Sequence, residues 1–244
     1  MSNDGVKSLS NFIDIITHLR ESWGISEHSE LWFRGEDRQD TTPLRPRLYR
    51  PRKGQPSKPI PKLLKIENIL YEDFQWCAVQ LCNEKTPADD WDWDAYFLMQ
   101  HHGSPTRLLD WSDGALMALH FAVRDKPRCD AQDALVYVLD PDRLQEQIEA
   151  LSAIKIVKNK WKTYVKKNPS SELKEDEWEY SYLPTDEKNR RNLMPKVPLL
   201  LDFPHITRRV AAQRSRFVVF GTDPAWLDQK TRQTSFFSPS SNYY

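Results

Sequence analysis

The sequence has few cysteines, few glycines, no excess of charge and no long apolar run. Its 244 residues include three cysteines and seven glycines, and 35 basic residues balance 35 acidic ones. Three cysteines without a CxxC spacing imply neither a disulfide framework nor a zinc site. A formal charge of zero argues against a general polyanion binder but says nothing about local patches. The apolar runs fall far short of the roughly 20 residues of a membrane helix, so we expect no membrane partner.

The segment MSNDGVKSLSNF has neither a basic stretch nor an apolar one that would form a secretory signal. We therefore expect a soluble protein with a cytoplasmic location. The length suits one large domain. The 17 prolines and nine tryptophans are typical of a loop-rich domain with aromatic anchors.

Hydrophobic periodicity predicts an α+β fold in a single domain. Helices are predicted over 8–23, 62–82, 91–102, 113–123 and 142–153, and strands over 31–34, 106–111, 133–141, 197–203 and 217–220. We expect an N-terminal helix (1–30), a main domain (31–228) and a C-terminal tail (229–244). The charged stretch 155–187 is interpreted as an insertion or a mobile segment.

An arginine lies between two aromatic residues and a glycine in WFRG. The charge of Arg34 must either pair with a buried carboxylate or face a cleft, because isolated burial of a guanidinium is costly. Gly35 lets a ligand approach the backbone. From these residues alone, a structural ion pair and an anion or nucleotide contact both stay open.

Two adjacent histidines end a predicted helix in QHHGSPTRLLDWS. The helix dipole there favours a protonated imidazole. We expect one histidine, preferably His102, to be a site residue, and His101 to cap or pack; hydrogen bonding of both to loop backbone is the alternative.

The same stretch continues with three further polar side chains. Arg107 and Asp110 are expected to pair with each other, and Asp110 is also a candidate partner for a histidine or for Arg34. Ser112 or Asp113 is expected to cap the helix that follows.

Basic residues between prolines form a candidate nucleic-acid surface. Prolines keep the segment 41–61 extended, so its cations would form a phosphate track with one tyrosine as a stacking surface. The nucleic-acid candidates are Arg45, Arg47, Tyr49, Arg50, Lys160 and Trp161. A solvated basic loop is the alternative.

Common motifs are missing. The sequence has no Walker loop, GxGxxG fingerprint or GxSxG elbow. Its six histidines form no HxH or HExxH pair, so we expect no metal site.

Together these segments resemble the FRG domain, a family named for a Phe-Arg-Gly strand. WFRGED carries the name motif at Phe33, Arg34 and Gly35. PLRPRLYR and QHHGSPTRLLDWSDGALMALHFA correspond to the following elements, and RRVAAQRSRFVVF is similar to the closing one, with Ser215 where glycine is usual. The resemblance covers Leu31 to Phe220.

The order of elements is also similar to that of ADP-ribosyltransferases. This resemblance implies small mixed or antiparallel sheets flanked by helices, and NAD as substrate. It implies NAD contacts from Phe33, Arg34, Gly35, His101, Ser112 and Phe121, and places Gln213 where the catalytic glutamate usually stands.

A glutamine can orient a ribose hydroxyl but cannot supply charge or accept a proton. The catalytic set is therefore Arg34, Gln213 and a proton acceptor, either His102 or Asp110. A nucleic-acid acceptor fits, because a nucleobase nitrogen is already nucleophilic. The leading hypothesis is thus an NAD-dependent toxin or phage-defence effector that modifies nucleic acid and needs a neutralising partner protein. The alternatives are a non-catalytic nucleotide sensor and a metal-assisted nuclease.

Overall fold

The computed structural model describes residues 6, 8–37, 42–51, 54–81, 91–124, 133–169, 173–201 and 215–228. Within these ranges, the strands are β1 (Trp32–Glu36), β2 (Leu108–Ser112), β3 (Leu135–Leu139), β4 (Leu199–Leu201) and β5 (Ser215–Val219). They form one antiparallel sheet in the order β3-β1-β2-β5-β4. The predicted α+β class is confirmed. The division of the chain into an N-terminal helix, a main domain and a tail stays a prediction.

Helices cover both faces of this sheet. They are α1 (Leu9–Trp23), α2 (Ile60–Leu81), α3 (Trp91–His101), α4 (Ala115–Val123), α5 (Pro141–Ala150), α6 (Ser152–Lys167) and α7 (Lys188–Arg191), with 3₁₀ helices at Arg47–Tyr49 and Trp178–Tyr182. Ser8 caps α1, because its Oγ accepts a hydrogen bond from the Asn11 N–H at 3.1 Å. In the described part of the chain, none of the helices combines the length and the apolar composition needed to cross a bilayer.

The alternation of side chains along β1 separates two hydrophobic clusters. Phe33 packs with Ala118 of α4 in the smaller cluster. Trp32 belongs to the larger core on the opposite face. Because side chains two apart share a face of a strand, Arg34 and Glu36 lie on the same side as Trp32.

Gly35 allows α4 to pack directly against β1. A Cβ atom at this position would lie 1.8 Å from the carbonyl oxygen of Ala118 and 2.7 Å from the Ala122 nitrogen. The expectation that the missing side chain makes room for a ligand is wrong, because the backbone of α4 fills that space.

The charged stretch 155–187 is part of the core. Trp161 of α6 is fully buried, and its indole N–H donates to the Lys174 carbonyl oxygen at 2.9 Å. Trp178 and Tyr182 of the second 3₁₀ helix are buried in the same cluster. The interpretation as a mobile segment therefore disagrees with the packing, because large aromatic side chains anchor the stretch at both ends.

A buried ion pair joins the helices to the sheet. Arg107, just before β2, is fully buried and pairs with Glu67 of α2 at 2.5 Å. It also donates to the carbonyl oxygens of Tyr182 and, at 3.0 Å, Phe220. Burial is the largest single effect and lowers the pKa of Arg107, but the charge and hydrogen bond of Glu67 together with Tyr96 and Tyr49 outweigh it, so the pKa is raised. The expected Arg107–Asp110 pair is wrong, since Glu67 holds the guanidinium.

Candidate functional site

Arg34 lies at the centre of a polar group on the core-facing side of β1. Its Nε donates to Glu36 Oε1 at 3.1 Å, and its Nη1 donates to the carbonyl oxygen of Asp110 at 2.8 Å. The side chain is 18% exposed. Its Nη2 makes no hydrogen bond to any residue in the described ranges. The guanidinium is thus paired with a carboxylate, as one of the two expectations has it, whereas an anion or nucleotide contact of Arg34 stays a prediction.

Arg50 shares the same carboxylate oxygen. Its Nη2 donates to Glu36 Oε1 at 2.8 Å, and the Arg50 side chain is 28% exposed. Glu36 is only 7% exposed, and its Oε2 is buried without a hydrogen-bond partner in the described structure. We call Arg34, Glu36 and Arg50 the Arg34 cluster.

A tyrosine and a second ion pair border the Arg34 cluster. Tyr137 of β3 is directly opposite Arg34 in the sheet register. Burial and then the negative charge of Glu36 raise the pKa of Tyr137, whereas Arg34 lowers it. Arg45 pairs with Asp228, with 2.9 Å between Nε and Oδ2. Because its pKa is raised, the Tyr137 phenol stays neutral at ordinary pH and can donate or accept a hydrogen bond.

Buried side chains hold the segment 42–51 against the hydrophobic core, so it is not a solvated loop. Leu44 is buried with a φ of 53°, a left-handed conformation that costs a leucine about 1–2 kcal/mol. Leu48 is also buried, and Tyr49 is buried with its hydroxyl donating to the Gly221 carbonyl oxygen at 2.6 Å. The prediction of Tyr49 as a stacking surface for bases is wrong, because its ring belongs to the core.

Each described arginine of this segment has its own partner within the protein. Arg45 and Arg50 pair with carboxylates, and Arg47 donates to the Gly103 carbonyl oxygen at 2.7 Å. Each of these three arginines therefore already has a partner within the protein, and a phosphate track over them stays a prediction. Arg47 instead ties the segment to the turn that follows α3.

The double-histidine turn lies at the end of α3, which ends at His101 and is followed by Gly103 with a φ of 86°. His102 is exposed and its ring lies 6.0 Å from the ring of Phe74 in α2. His101 is half-buried, with its ring 5.6 Å from that of His102. The expected site role of His102 and NAD contact of His101 stay predictions.

Asp110 connects the turn to Arg34. Its carboxylate Oδ2 accepts a hydrogen bond from Gln100 Nε2 at 3.0 Å, while its carbonyl oxygen accepts from Arg34. The expectation that Asp110 holds the Arg34 head group is met through the backbone rather than through the carboxylate. Asp110 itself is exposed, and its carboxylate keeps the hydrogen bond to Gln100.

Ser112 forms a turn before α4. Its Oγ accepts a hydrogen bond from the Gly114 N–H at 3.1 Å, and Gly114 is the N-cap residue. The expectation that Ser112 or Asp113 is the cap residue is therefore wrong by one or two positions. Asp113 instead pairs with Arg216 of β5 at 3.1 Å.

The strand register aligns one residue from each of three expected motifs on the adjacent strands β1, β2 and β5. Phe33 of β1 is opposite Ser112 of β2, and Ser112 is opposite Ser215 of β5. Gln213, two positions before β5 begins, lies outside the described residues. The expected meeting of Arg34 and Gln213 stays a prediction; β1 and β5 are the two neighbours of β2 in the sheet.

The remaining predicted site residues fall in different places. Phe33 is buried against α4, where a bound NAD would have to displace core packing. Phe121 is half-buried on α4, 5.4 Å from the Arg124 guanidinium. Lys160 is exposed on α6, but the neighbouring Trp161 is fully buried. The prediction that Trp161 stacks on a nucleic-acid base is therefore wrong, because its ring is buried.

Metal chemistry gains no support from the described ranges. Within them, no three His, Cys, Asp or Glu side chains are arranged to hold a metal ion. The metal-assisted nuclease hypothesis rests on His101, His102 and Asp110, which form no such group there.

Sequence analysis missed Glu36 and Glu67. The strand predicted over 31–34 ends before Glu36, whereas β1 continues to Glu36 and so places the Arg34 and Glu36 side chains on one face. Glu67 lies on the apolar stripe of α2 between Leu63 and Leu70. A carboxylate in such a stripe is a signal of a buried ion pair.

Fold and site together define an α+β protein with a guanidinium-rich polar cluster on one face of an antiparallel sheet. Residues 29–131 match the family model described as the FRG domain, which confirms the resemblance to that family. The matched residues include β1, β2 and α4 but not the closing element around β5. The FRG domain is a family of uncertain function, so the match assigns no reaction. No curated protein and no solved structure matches the chain.

Proposed function

We propose that the chain binds NAD at the Arg34 cluster and transfers its ADP-ribose unit to an acceptor. The observation that carries the proposal is the state of Arg34. It is fixed by two hydrogen bonds, 18% exposed, and keeps one guanidinium nitrogen without a partner in the described structure. A planar guanidinium held in this way suits the oxygen atoms of a phosphate.

The order of strands supports this function. β1 with Arg34, β2 with Ser112 and the start of β5 are neighbours in the sheet. These are the elements for which the resemblance to ADP-ribosyltransferases implies NAD contacts. The support is an analogy of arrangement, so the site chemistry must be tested directly.

The transfer breaks the bond between nicotinamide and the ribose C1′, and the bonding electrons leave with the nicotinamide nitrogen. The acceptor atom forms a new bond to C1′ and loses its proton. Asp110 is the better-supported proton acceptor, because its exposed carboxylate belongs to the residue whose carbonyl holds Arg34. His102, packed on Phe74, is the second candidate, and Gln213 would orient the ribose hydroxyl.

The acceptor we propose is nucleic acid, and α6 supplies a surface for it. The outer side of this helix carries exposed lysines at Lys155, Lys160, Lys162, Lys166 and Lys167, of which Lys166 pairs with Glu175 at 3.6 Å. The sequence of α6 contains no acidic residue, and Lys158 is turned away over the Trp178 ring at 5.0 Å. Such a row suits phosphate groups of a strand. An enzyme that modified nucleic acid in its own cell would need a neutralising protein partner, as in toxin and phage-defence systems.

Labelled NAD tests the proposal. The purified chain is incubated with NAD carrying label in the adenylate part, together with RNA, DNA or protein, and both label transfer and nicotinamide release are measured. We expect release with wild type and its loss with Arg34→Gln, while Arg143→Gln on α5 serves as the matched control. Folded wild-type protein that releases no nicotinamide with any acceptor would contradict the transferase function.

A nucleotide-sensing role is the second candidate, favoured by the amide at Gln213 in place of a carboxylate. It predicts that NAD binds and that Arg34→Gln abolishes binding, while nicotinamide is never released. Calorimetry alongside the release assay separates the two functions.

A further inference from the structure

We propose that the hydroxyl of Tyr137 is a second donor of the nucleotide site and binds the same phosphate group as Arg34. This rests on the proposed function in that the phosphate belongs to the bound NAD. It adds to the site a neutral hydrogen-bond donor from β3, which sequence analysis did not single out.

Tyr137 and Arg34 are direct neighbours across two strands. They are partners in the antiparallel register of β1 and β3. The Cβ atoms of such a pair lie about 4.5–5.5 Å apart, and both side chains project from the same face of the sheet. A phenol and a guanidinium on one face, each extending beyond its Cβ atom, can therefore donate to one small group between their ends.

The Tyr137 hydroxyl has no partner within the described ranges. It makes no hydrogen bond to any residue there, although the side chain is only half-buried and its ring packs against the larger core. The Glu36 carboxylate on the same face does not accept from it, because Glu36 Oε2 has no hydrogen-bond partner and Oε1 accepts from arginines. A tyrosine with its ring on the core and its hydroxyl unengaged has a donor for a ligand.

The hydroxyl end of Tyr137 lies close to the charges of the Arg34 cluster. Burial raises the pKa of Tyr137 most, the charge of Glu36 raises it further, and the charge of Arg34 lowers it. Side-chain charges act this way on a phenol oxygen only at short range, because solvent screens distant ones. Since the pKa is raised overall, the phenol keeps its proton at ordinary pH and does not repel an anion.

Arg34 supplies the positive charge of this pair of donors. Its Nε and Nη1 are held by Glu36 and by the Asp110 carbonyl oxygen, at 3.1 and 2.8 Å, whereas Nη2 has no partner in the described part of the chain. Two contacts fix the plane of the guanidinium, so its remaining donor has a set direction. The oxygens of a phosphate point in tetrahedral directions, and one phosphate can therefore accept from donors on two strands.

Calorimetry with ADP-ribose tests the shared phosphate, because ADP-ribose contains both phosphates of NAD but no nicotinamide to release. Adenosine is the probe without phosphate, and wild type should bind it at least about 10-fold more weakly than ADP-ribose. Tyr137→Phe removes only the hydroxyl and should weaken ADP-ribose binding by about 3- to 10-fold, the effect of one neutral hydrogen bond. Arg34→Gln should weaken it by about 10- to 100-fold, since a charge-assisted bond is lost.

Stability separates a binding role of the hydroxyl from a structural one. Because the hydroxyl has no partner in the described ranges, Tyr137→Phe should unfold at the same urea concentration as wild type or at a higher one. Tyr164→Phe is the matched control, because the Tyr164 hydroxyl donates to Glu187. This control should lower the unfolding midpoint but bind ADP-ribose as wild type does.

The double variant Arg34→Gln with Tyr137→Phe tests whether the two side chains bind one phosphate. Two donors to the same group depend on each other, so the double variant should weaken ADP-ribose binding by less than the product of the two single effects. An effect equal to that product would place the hydroxyl on another part of the ligand and would overturn the shared phosphate.

ADP-ribose binding by Tyr137→Phe equal to wild type would overturn the role of Tyr137, even if NAD is turned over and Arg34→Gln abolishes turnover. Wild type that binds adenosine as tightly as ADP-ribose would overturn it too. ADP-ribose binding that depends on both Tyr137 and Arg34 without any nicotinamide release would support the shared phosphate and contradict the transferase function. The failures of the two proposals are therefore distinguishable.

Discussion

Arg34 of β1 donates a hydrogen bond to the backbone carbonyl oxygen of Asp110 in β2 at 2.8 Å. This contact joins the Phe-Arg-Gly strand to the double-histidine stretch, two segments 76 positions apart in the chain. Because the acceptor is a backbone atom, the link does not depend on the charge of Asp110. The carboxylate of Asp110 is left to bind Gln100 and to face solvent.

Asp110→Asn should separate binding from catalysis. It keeps the carbonyl that holds Arg34, so NAD affinity should change by less than about 3-fold, while loss of a proton acceptor lowers turnover by about 10²–10⁴-fold. Calorimetry and nicotinamide release measure the two effects. Asp14→Asn on α1 is the control, and unchanged turnover in Asp110→Asn would remove Asp110 from the reaction.

Gly35→Ala should destabilise the fold strongly. The added Cβ overlaps the α4 backbone at Ala118, and overpacking of this kind costs about 1–3 kcal/mol or more. Gly114→Ala is the matched control, because its Cβ would meet side chains rather than backbone: Met117 Cγ at 3.3 Å and Ser112 Oγ at 3.6 Å. Urea denaturation should show a lower unfolding free energy for Gly35→Ala, and equal stability of the two variants would contradict the packing.

Arg107→Met should be among the most destabilising single changes. It leaves the Glu67 carboxylate buried without its partner, which costs about 3–5 kcal/mol. Lys174→Met, which breaks the exposed pair with Glu177, should cost less than about 1 kcal/mol. Thermal and urea unfolding measure the stability of both variants. Similar unfolding midpoints for the two variants would show that the buried Arg107–Glu67 pair does not stabilise the fold more than an exposed pair does.

Reversing charge on α6 should affect nucleic acid and not NAD. Lys155→Glu combined with Lys162→Glu should weaken modification of nucleic acid and reduce its salt dependence, since two phosphate contacts are lost. Nicotinamide release without acceptor should stay unchanged. Lys62→Glu on α2 is the control; equal label transfer in both proteins would place the acceptor elsewhere.

High pH should unfold the protein as buried tyrosines ionise. Burial is the largest cause that raises the pKa values of Tyr49, Tyr96, Tyr137 and Tyr182. An unfolded tyrosine ionises near a pKa of about 10. Their stabilisation is therefore complete below about pH 10 and is lost as pH rises toward the folded pKa values. Absorbance at 295 nm and circular dichroism should change together, whereas ionisation without unfolding would show that the tyrosines are accessible.

Much of the secondary structure could be predicted because local patterns determine it. The apolar period of 8–23 and the cap at Ser8 place α1 within one residue of its observed start. The strand predicted within 133–141 contains β3, and that at 217–220 overlaps β5. These segments are stabilised by contacts whose spacing is visible in the chain.

Long-range packing could not be predicted in the same way. Trp161 stands among lysines, so its neighbours suggest a basic surface, yet its ring fills the core beside Tyr182. Tyr49 likewise lies between arginines but is buried with its hydroxyl on Gly221. In both cases the partners are distant in sequence, and one sequence contains no periodic signal for them.

Only some of the residues that form the site could be predicted from the sequence. Arg34 stands out because an arginine in an aromatic strand needs a partner. Its actual partners, Glu36 and the Asp110 carbonyl, depend on the length of β1 and on the pairing of β1 with β2. Neither feature follows from residue types alone.

A structure determined with NAD bound tests the central claim most directly. The account predicts that a phosphate group of NAD lies within hydrogen-bonding distance of the Arg34 guanidinium, with the nicotinamide ribose near Asp110. NAD bound elsewhere at full occupancy, with the Arg34 cluster making no contact to it, would contradict the account.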